Sequence, residues 1–184
     1  LRNIYKQKRA SIPPAEKLKL DDLLLIQFQR MSFSDVQVLL TYWPMQNTAE
    51  PNTHLFSGYL RHLIPGLQIA YPVADFSTGQ MKAVLIDEDT VYTTNSYGIT
   101  EPKDGITISP VDIDIVFVPL LVCDLQGFRA GYGKGFYDKY LPQCNSKVVK
   151  TGFSYFEPVE KIDDTGDYDV PLNYCITPAK IYEF

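Results

Sequence analysis

Ile113-Asp114-Ile115-Val116-Phe117-Val118-Pro119-Leu120-Leu121-Val122-Cys123 is the most apolar stretch of the chain. Its apolarity is continuous rather than alternating, the pattern of a central strand covered on both faces. It runs into Asp124, then a glycine-rich loop, then a segment through Tyr137, Asp138 and Leu141 that reads as a helix. In folds built from such units, ligands sit beyond the carboxyl ends of the strands, where this loop falls. The stretch is about half the length needed to span a bilayer, so no membrane segment is expected.

Working outward, Ser11 is followed by Pro13 and Pro14, which are tolerated in a first helical turn but not in a helix interior; a new helix begins there. Its apolar positions Leu18, Leu23, Leu24, Leu25, Ile26 and Phe28 are crowded enough to imply burial. Residues 36–43 read as a strand bounded by Pro44, and the polar residues 46–52 as a loop. A helix over 53–63 is stopped by Pro65-Gly66. Residues 67–74, 82–86, 91–94, 148–155, 174–176 and 181–184 read as further strands. Strands alternating with helices predict an α/β fold. The expectation is one domain over residues 1–184, with a largely parallel central sheet flanked by helices in a three-layer α/β/α, Rossmann-like arrangement.

Composition narrows the function classes. The 184 residues are 45% apolar and 21% charged, as in an ordinary globular chain. The net charge of −5, with no polybasic run, argues against a general nucleic-acid or membrane-surface binder. Cys123, Cys144 and Cys175 include no CxxC pair, so neither a zinc knuckle nor a disulfide framework fits; reduced thiols and a cytoplasmic setting are expected. The sequence opens on Leu1 without a signal-like segment, and at least one residue is expected to precede it. His54 and His62 are eight apart rather than the four that would put two ligands on one helix face, so neither is assigned to a metal. Trp43 and Cys123 read as core.

The chemistry is concentrated in Asp124-Leu125-Gln126-Gly127-Phe128-Arg129-Ala130-Gly131-Tyr132-Gly133-Lys134-Gly135-Phe136-Tyr137-Asp138. Glycines at 131, 133 and 135 let backbone N–H groups turn toward one concavity. The helix that follows adds free N–H groups and a positive dipole end. Arg129 and Lys134 supply cations, and Asp138 is suited to a divalent metal. These are the parts of a nucleotide phosphate site, although the spacing is neither a P-loop nor a dinucleotide fingerprint.

The run resembles the signature of the 5-formyltetrahydrofolate cyclo-ligases, also called 5,10-methenyltetrahydrofolate synthetases. The matching residues are Pro119, Asp124, Gly127, Arg129, Gly131, Gly133, Lys134, Gly135, Phe136, Tyr137 and Asp138. Weaker pieces follow the same order: Arg2, Glu50-x-x-Thr53, Gly98-Ile99-x-Glu101-Pro102 and Asp169. Val73, Phe136 and Tyr168 depart from the family's usual residues. The resemblance implies closure of 5-formyltetrahydrofolate, with or without a polyglutamate tail, to 5,10-methenyltetrahydrofolate at the expense of Mg-ATP. The formyl oxygen would be phosphorylated, attacked at its carbon by N10, and lost as phosphate.

By that resemblance Lys134 and Arg129 are catalytic, and Leu1, Arg2, Gly127, Gly131, Tyr132, Gly133, Gly135, Phe136 and Tyr137 join them around ATP. Arg2, Met45, Glu50, Tyr132, Gly133, Lys134, Gly135 and Phe136 would meet the folate, with Glu50 on the pterin's N–H donors. Asp138 and Asp169 would hold Mg²⁺. A monomer acting on a small molecule, without nucleic acid or membrane, is expected. The alternatives are a related ATP-dependent enzyme with another acceptor, or a noncatalytic nucleotide- or RNA-binding homologue.

Overall fold

The computed structural model describes residues 1–184, the side chain of Gln46 excepted. Helices α1 (Arg2–Ala10) and α2 (Pro14–Phe28) open the chain, with Pro14 at the first helical position. Strand β1 (Val38–Leu40) leads through a 3₁₀ turn (Gln46–Thr48) to α3 (Thr53–Leu63). The hairpin β2 (Gln68–Asp75) and β3 (Gln80–Leu85) follows, then the short strands β4 (Tyr92–Thr94), β5 (Thr100–Pro102) and β6 (Thr107–Ile108). The rest is β7 (Ile115–Phe117), β8 (Val122–Cys123), β9 (Arg129–Ala130), α4 (Phe136–Tyr140), β10 (Val149–Phe153), β11 (Tyr174–Ile176) and β12 (Ile181–Glu183).

Eight strands form one sheet in the order β12-β11-β10-β7-β1-β2-β3-β6. The inner strands β11, β10, β7, β1 and β2 are parallel, whereas β12, β3 and β6 add antiparallel at the edges. All residues of β1 and β7 are buried, as continuous apolarity requires of strands covered on both faces. On one face, Leu24 and Phe28 of α2 and Phe56 and Leu60 of α3 pack onto Leu39 and Phe117 of the sheet. On the other, Leu40 and Val116 lie beneath Tyr140 and Leu141. That second helical layer is thin, because α4 has only five residues and loops complete the cover.

Two expectations need correction. The apolar run 113–123 is not one strand. Only Ile115–Phe117 joins the sheet; Pro119 has no N–H for a ladder, and Val122–Cys123 instead pairs antiparallel with Arg129–Ala130 in a separate hairpin. The crowded apolar positions of α2 are not all buried either. Leu24 and Phe28 are fully buried, but Leu18, Leu23 and Ile26 are exposed, since one sheet face meets only one side of the helix. Cys123 is core, as expected. Among the described residues, no helix is long and apolar enough to cross a membrane.

Candidate active site

A cavity of about 460 Å³ opens beyond the C-terminal ends of β1, β2 and β7. Those strand ends deliver Trp43 and Met45, Pro72 and Ala74, and Pro119 to its wall. The glycine loop closes it from the side. Gly133 and Gly135 have φ of +86° and +70°, which L side chains adopt only under strain. A Cβ on Gly133 would stand 3.6 Å from the Arg2 guanidinium, an ordinary contact, so the backbone angle rather than crowding calls for glycine there. Gly135 then starts α4, whose five residues give a much weaker dipole than a long helix would.

The loop's two cations are placed differently. Lys134 forms no salt bridge among the described residues, and its Nζ lies 5.6 Å from the centroid of the Tyr97 ring. Arg129 is already engaged: it donates to Oδ1 of Asp138 at 2.8 Å and to the Val170 carbonyl. The Val170 N–H closes the group by donating to the same Oδ1 at 3.1 Å. Asp169 also lines the cavity, with Oδ2 accepting the Gly166 N–H at 2.7 Å. Asp138 and Asp169 thus each keep one carboxylate oxygen without a donor among the described residues. No cluster of three or more potential ligands exists there to hold a metal unaided. Two free carboxylate oxygens nonetheless suit Mg²⁺, which is usually held by one or two carboxylates with phosphate and water completing the shell.

Glu50, also on the cavity wall, is only 3% exposed. Its Oε2 accepts the Met45 N–H at 2.7 Å and its Oε1 accepts the Tyr132 hydroxyl. Burial pushes this carboxyl above the usual carboxylate range, opposed by those two hydrogen bonds and by the charges of Arg9 and Lys17. The lining also includes an aromatic cluster. Phe76 stacks on Tyr97 with centroids 3.9 Å apart, and the Phe136 ring meets Phe76 edge-on at 5.0 Å.

The cavity brings together Arg2, Met45, Glu50, Arg129, Gly131, Tyr132, Gly133, Lys134, Gly135, Phe136, Tyr137, Asp138 and Asp169. It does not include Leu1, which is largely exposed, or Gly127. Gly127 sits at the tip of the β8–β9 hairpin, where a Cβ would strike the Phe184 ring at 2.8 Å; its place is structural. Trp43, expected in the core, is half-buried on the cavity wall against Tyr92 and His54. Sequence reasoning also missed Phe76, Tyr97 and Arg9. Of the Gly98-Ile99-x-Glu101-Pro102 piece, Ile99 and Glu101 lie on the cavity wall.

A glycine loop and a free ammonium at the carboxyl ends of a parallel sheet define a class of α/β proteins that handle phosphorylated ligands at that edge. Within it, this chain belongs to the 5-formyltetrahydrofolate cyclo-ligase family, whose model matches residues 1–178. It is 42% identical over 69 residues to the 5-formyltetrahydrofolate cyclo-ligase of Mycoplasma genitalium, an alignment covering 37% of this chain and 42% of that protein. The Escherichia coli K12 cyclo-ligase is 31% identical over 124 residues, covering 65% and 68%. The fold matches the Aquifex aeolicus 5,10-methenyltetrahydrofolate synthetase with a TM-score of 0.81 at 23% identity, over 99% of this chain and 90% of that one.

Proposed function

We propose that the chain converts 5-formyltetrahydrofolate to 5,10-methenyltetrahydrofolate with consumption of ATP and release of ADP and phosphate. The observation that carries this reading is the pair of unlike groups on one cavity wall: a glycine loop with the unpaired Lys134, and the buried acceptor Glu50. A formamide oxygen is a poor leaving group, so the reaction needs a phosphoryl donor and a flat, donor-rich heterocycle in one chamber. Glu50 suits the pterin's amino and ring N–H groups, since a charged acceptor makes the strongest such bonds. Met45 and Trp43 beside it suit the ring face.

Around the glycine loop, the amides and Arg2 suit the polyphosphate, and Lys134 is free to neutralise charge on the phosphoryl group as it moves. Arg129, tied to Asp138, acts there as a fixed support for the carboxylate. Mg²⁺, held by Asp138 and Asp169, would supply bridging charge neutralisation between the carboxylates and the phosphates. The aromatic cluster of Phe76, Tyr97 and Phe136 shields the cavity from water.

The test is incubation with 5-formyltetrahydrofolate and Mg-ATP, following the near-ultraviolet absorbance of the methenyl product. Absorbance growth that requires both substrates is the expected result. Folded protein that gives none would overturn the reading.

A further inference from the structure

Arg9 is the one buried cation among the described residues, at 2% exposure, and it does not itself line the cavity. It leaves α1 and spreads its guanidinium over three acceptors. Nε donates to the Thr48 carbonyl at 2.7 Å, one Nη to the Leu120 carbonyl at 3.0 Å, and the other Nη to the Tyr132 hydroxyl. Thr48 lies in the 3₁₀ turn between Met45 and Glu50, Leu120 just past the end of β7, and Tyr132 between two glycines of the loop. One side chain therefore pins three segments that meet at the cavity.

The direction of the hydrogen bonds matters more than their number. A guanidinium only donates, so Arg9 occupies an acceptor lone pair of the Tyr132 oxygen. The single hydroxyl proton is then directed to the remaining partner, Oε1 of Glu50. Glu50's other oxygen is fixed by the Met45 N–H. The carboxylate is thus held at both oxygens on the cavity wall. Arg9 forms no salt bridge among the described residues, so its charge is met by a carboxylate only through this tyrosine.

We infer that Arg9 is a positioning residue for substrate recognition: acting through Tyr132, it fixes the Glu50 carboxylate in the orientation that meets the N–H donors of the folate. The inference rests on the folate reading given above. It also means that a residue of the glycine loop, Tyr132, carries the orientation of the Glu50 acceptor.

The experiment is steady-state kinetics on the wild-type chain, Arg9→Met, Arg9→Lys and Tyr132→Phe, varying folate and ATP separately. Loss of a hydrogen bond to a charged group predicts a folate KM raised about tenfold or more in Arg9→Met and Tyr132→Phe. The KM for ATP should stay within about twofold, and Arg9→Lys, which keeps the charge but not the three-way fork, should fall between. A merely structural arginine would lower thermal stability without separating the two KM values. If Arg9→Met does not fold, Tyr132→Phe decides alone, because it removes the link and leaves both carbonyl contacts of Arg9 in place. An unchanged folate KM in folded Tyr132→Phe, or equal rises in both KM values, overturns the inference. Wild-type protein that forms no product overturns the folate reading and this inference together; active wild type with unaffected variants overturns the inference alone.

Discussion

Replacing Glu50 by Gln separates what this residue does for the fold from what it does for the ligand. Gln keeps the shape: its amide oxygen still accepts the Met45 N–H, and its NH₂ donates to the Tyr132 oxygen in place of the reverse bond. What disappears is the charge. Hydrogen bonds to a charged acceptor are worth about 1.5–3 kcal/mol, so the folate KM should rise roughly tenfold to a hundredfold, with the KM for ATP nearly unchanged. The same change removes a buried charge whose carboxyl is pushed up by desolvation. Between its unfolded and folded pKa the native state binds the extra proton, so Glu50 makes stability fall as pH rises through that window. Folate affinity runs the other way, because the pterin needs the ionised form. Wild-type stability and folate affinity should therefore change in opposite directions as pH rises through the Glu50 titration, and Glu50→Gln should flatten both trends. Thermal melts and initial rates over a pH series measure this. A folate KM that Glu50→Gln leaves unchanged, or a variant whose folate KM keeps the wild-type pH dependence, refutes the reasoning.

Lys134→Ala should lower kcat far more than it raises the folate KM, because the ammonium is needed most as charge moves on the phosphoryl group; a loss confined to KM would sink that role. Asp138→Asn should raise the Mg²⁺ concentration for half-maximal activity several-fold. It should also lower the apo melting temperature, since Asp138 is the ion-pair partner of Arg129; an unmoved Mg²⁺ titration would leave it only the latter role. Phe28→Ala should destabilise the fold by about 3–5 kcal/mol in denaturant titrations, because the ring is fully buried against Phe56, Phe117 and Phe153. A loss under about 1 kcal/mol would mean that the cluster repacks around the gap.

What was legible in the sequence was whatever local chemistry dictates. The helix over 53–63 falls at Thr53–Leu63 because Pro65-Gly66 ends it within a few residues. The glycine loop announces itself because two of its residues require a backbone that other residues avoid. The run 113–123 misled because continuous apolarity reports burial, not pairing, and Pro119 had to be given its missing donor to see the break. Trp43 misled because a large aromatic at a strand end suits a core and a cavity wall equally. Arg9 was illegible: among neighbouring cations it reads as solvated, and its carbonyl and hydroxyl partners at Leu120 and Tyr132 lie 111 and 123 residues away. Only the tertiary fold brings them together.

The placement of Trp43 gives the chain an optical property. It is the sole tryptophan, and it stands on the cavity wall with its indole against Tyr92 and edge-on to His54 at 4.6 Å. Excited selectively, the native protein emits from a single position on the cavity wall. A heterocycle entering there would displace water from the indole and change its emission directly, with no background from a second chromophore of the same kind. Occupancy of this cavity could thus be followed in unlabelled wild-type protein, before and apart from any turnover.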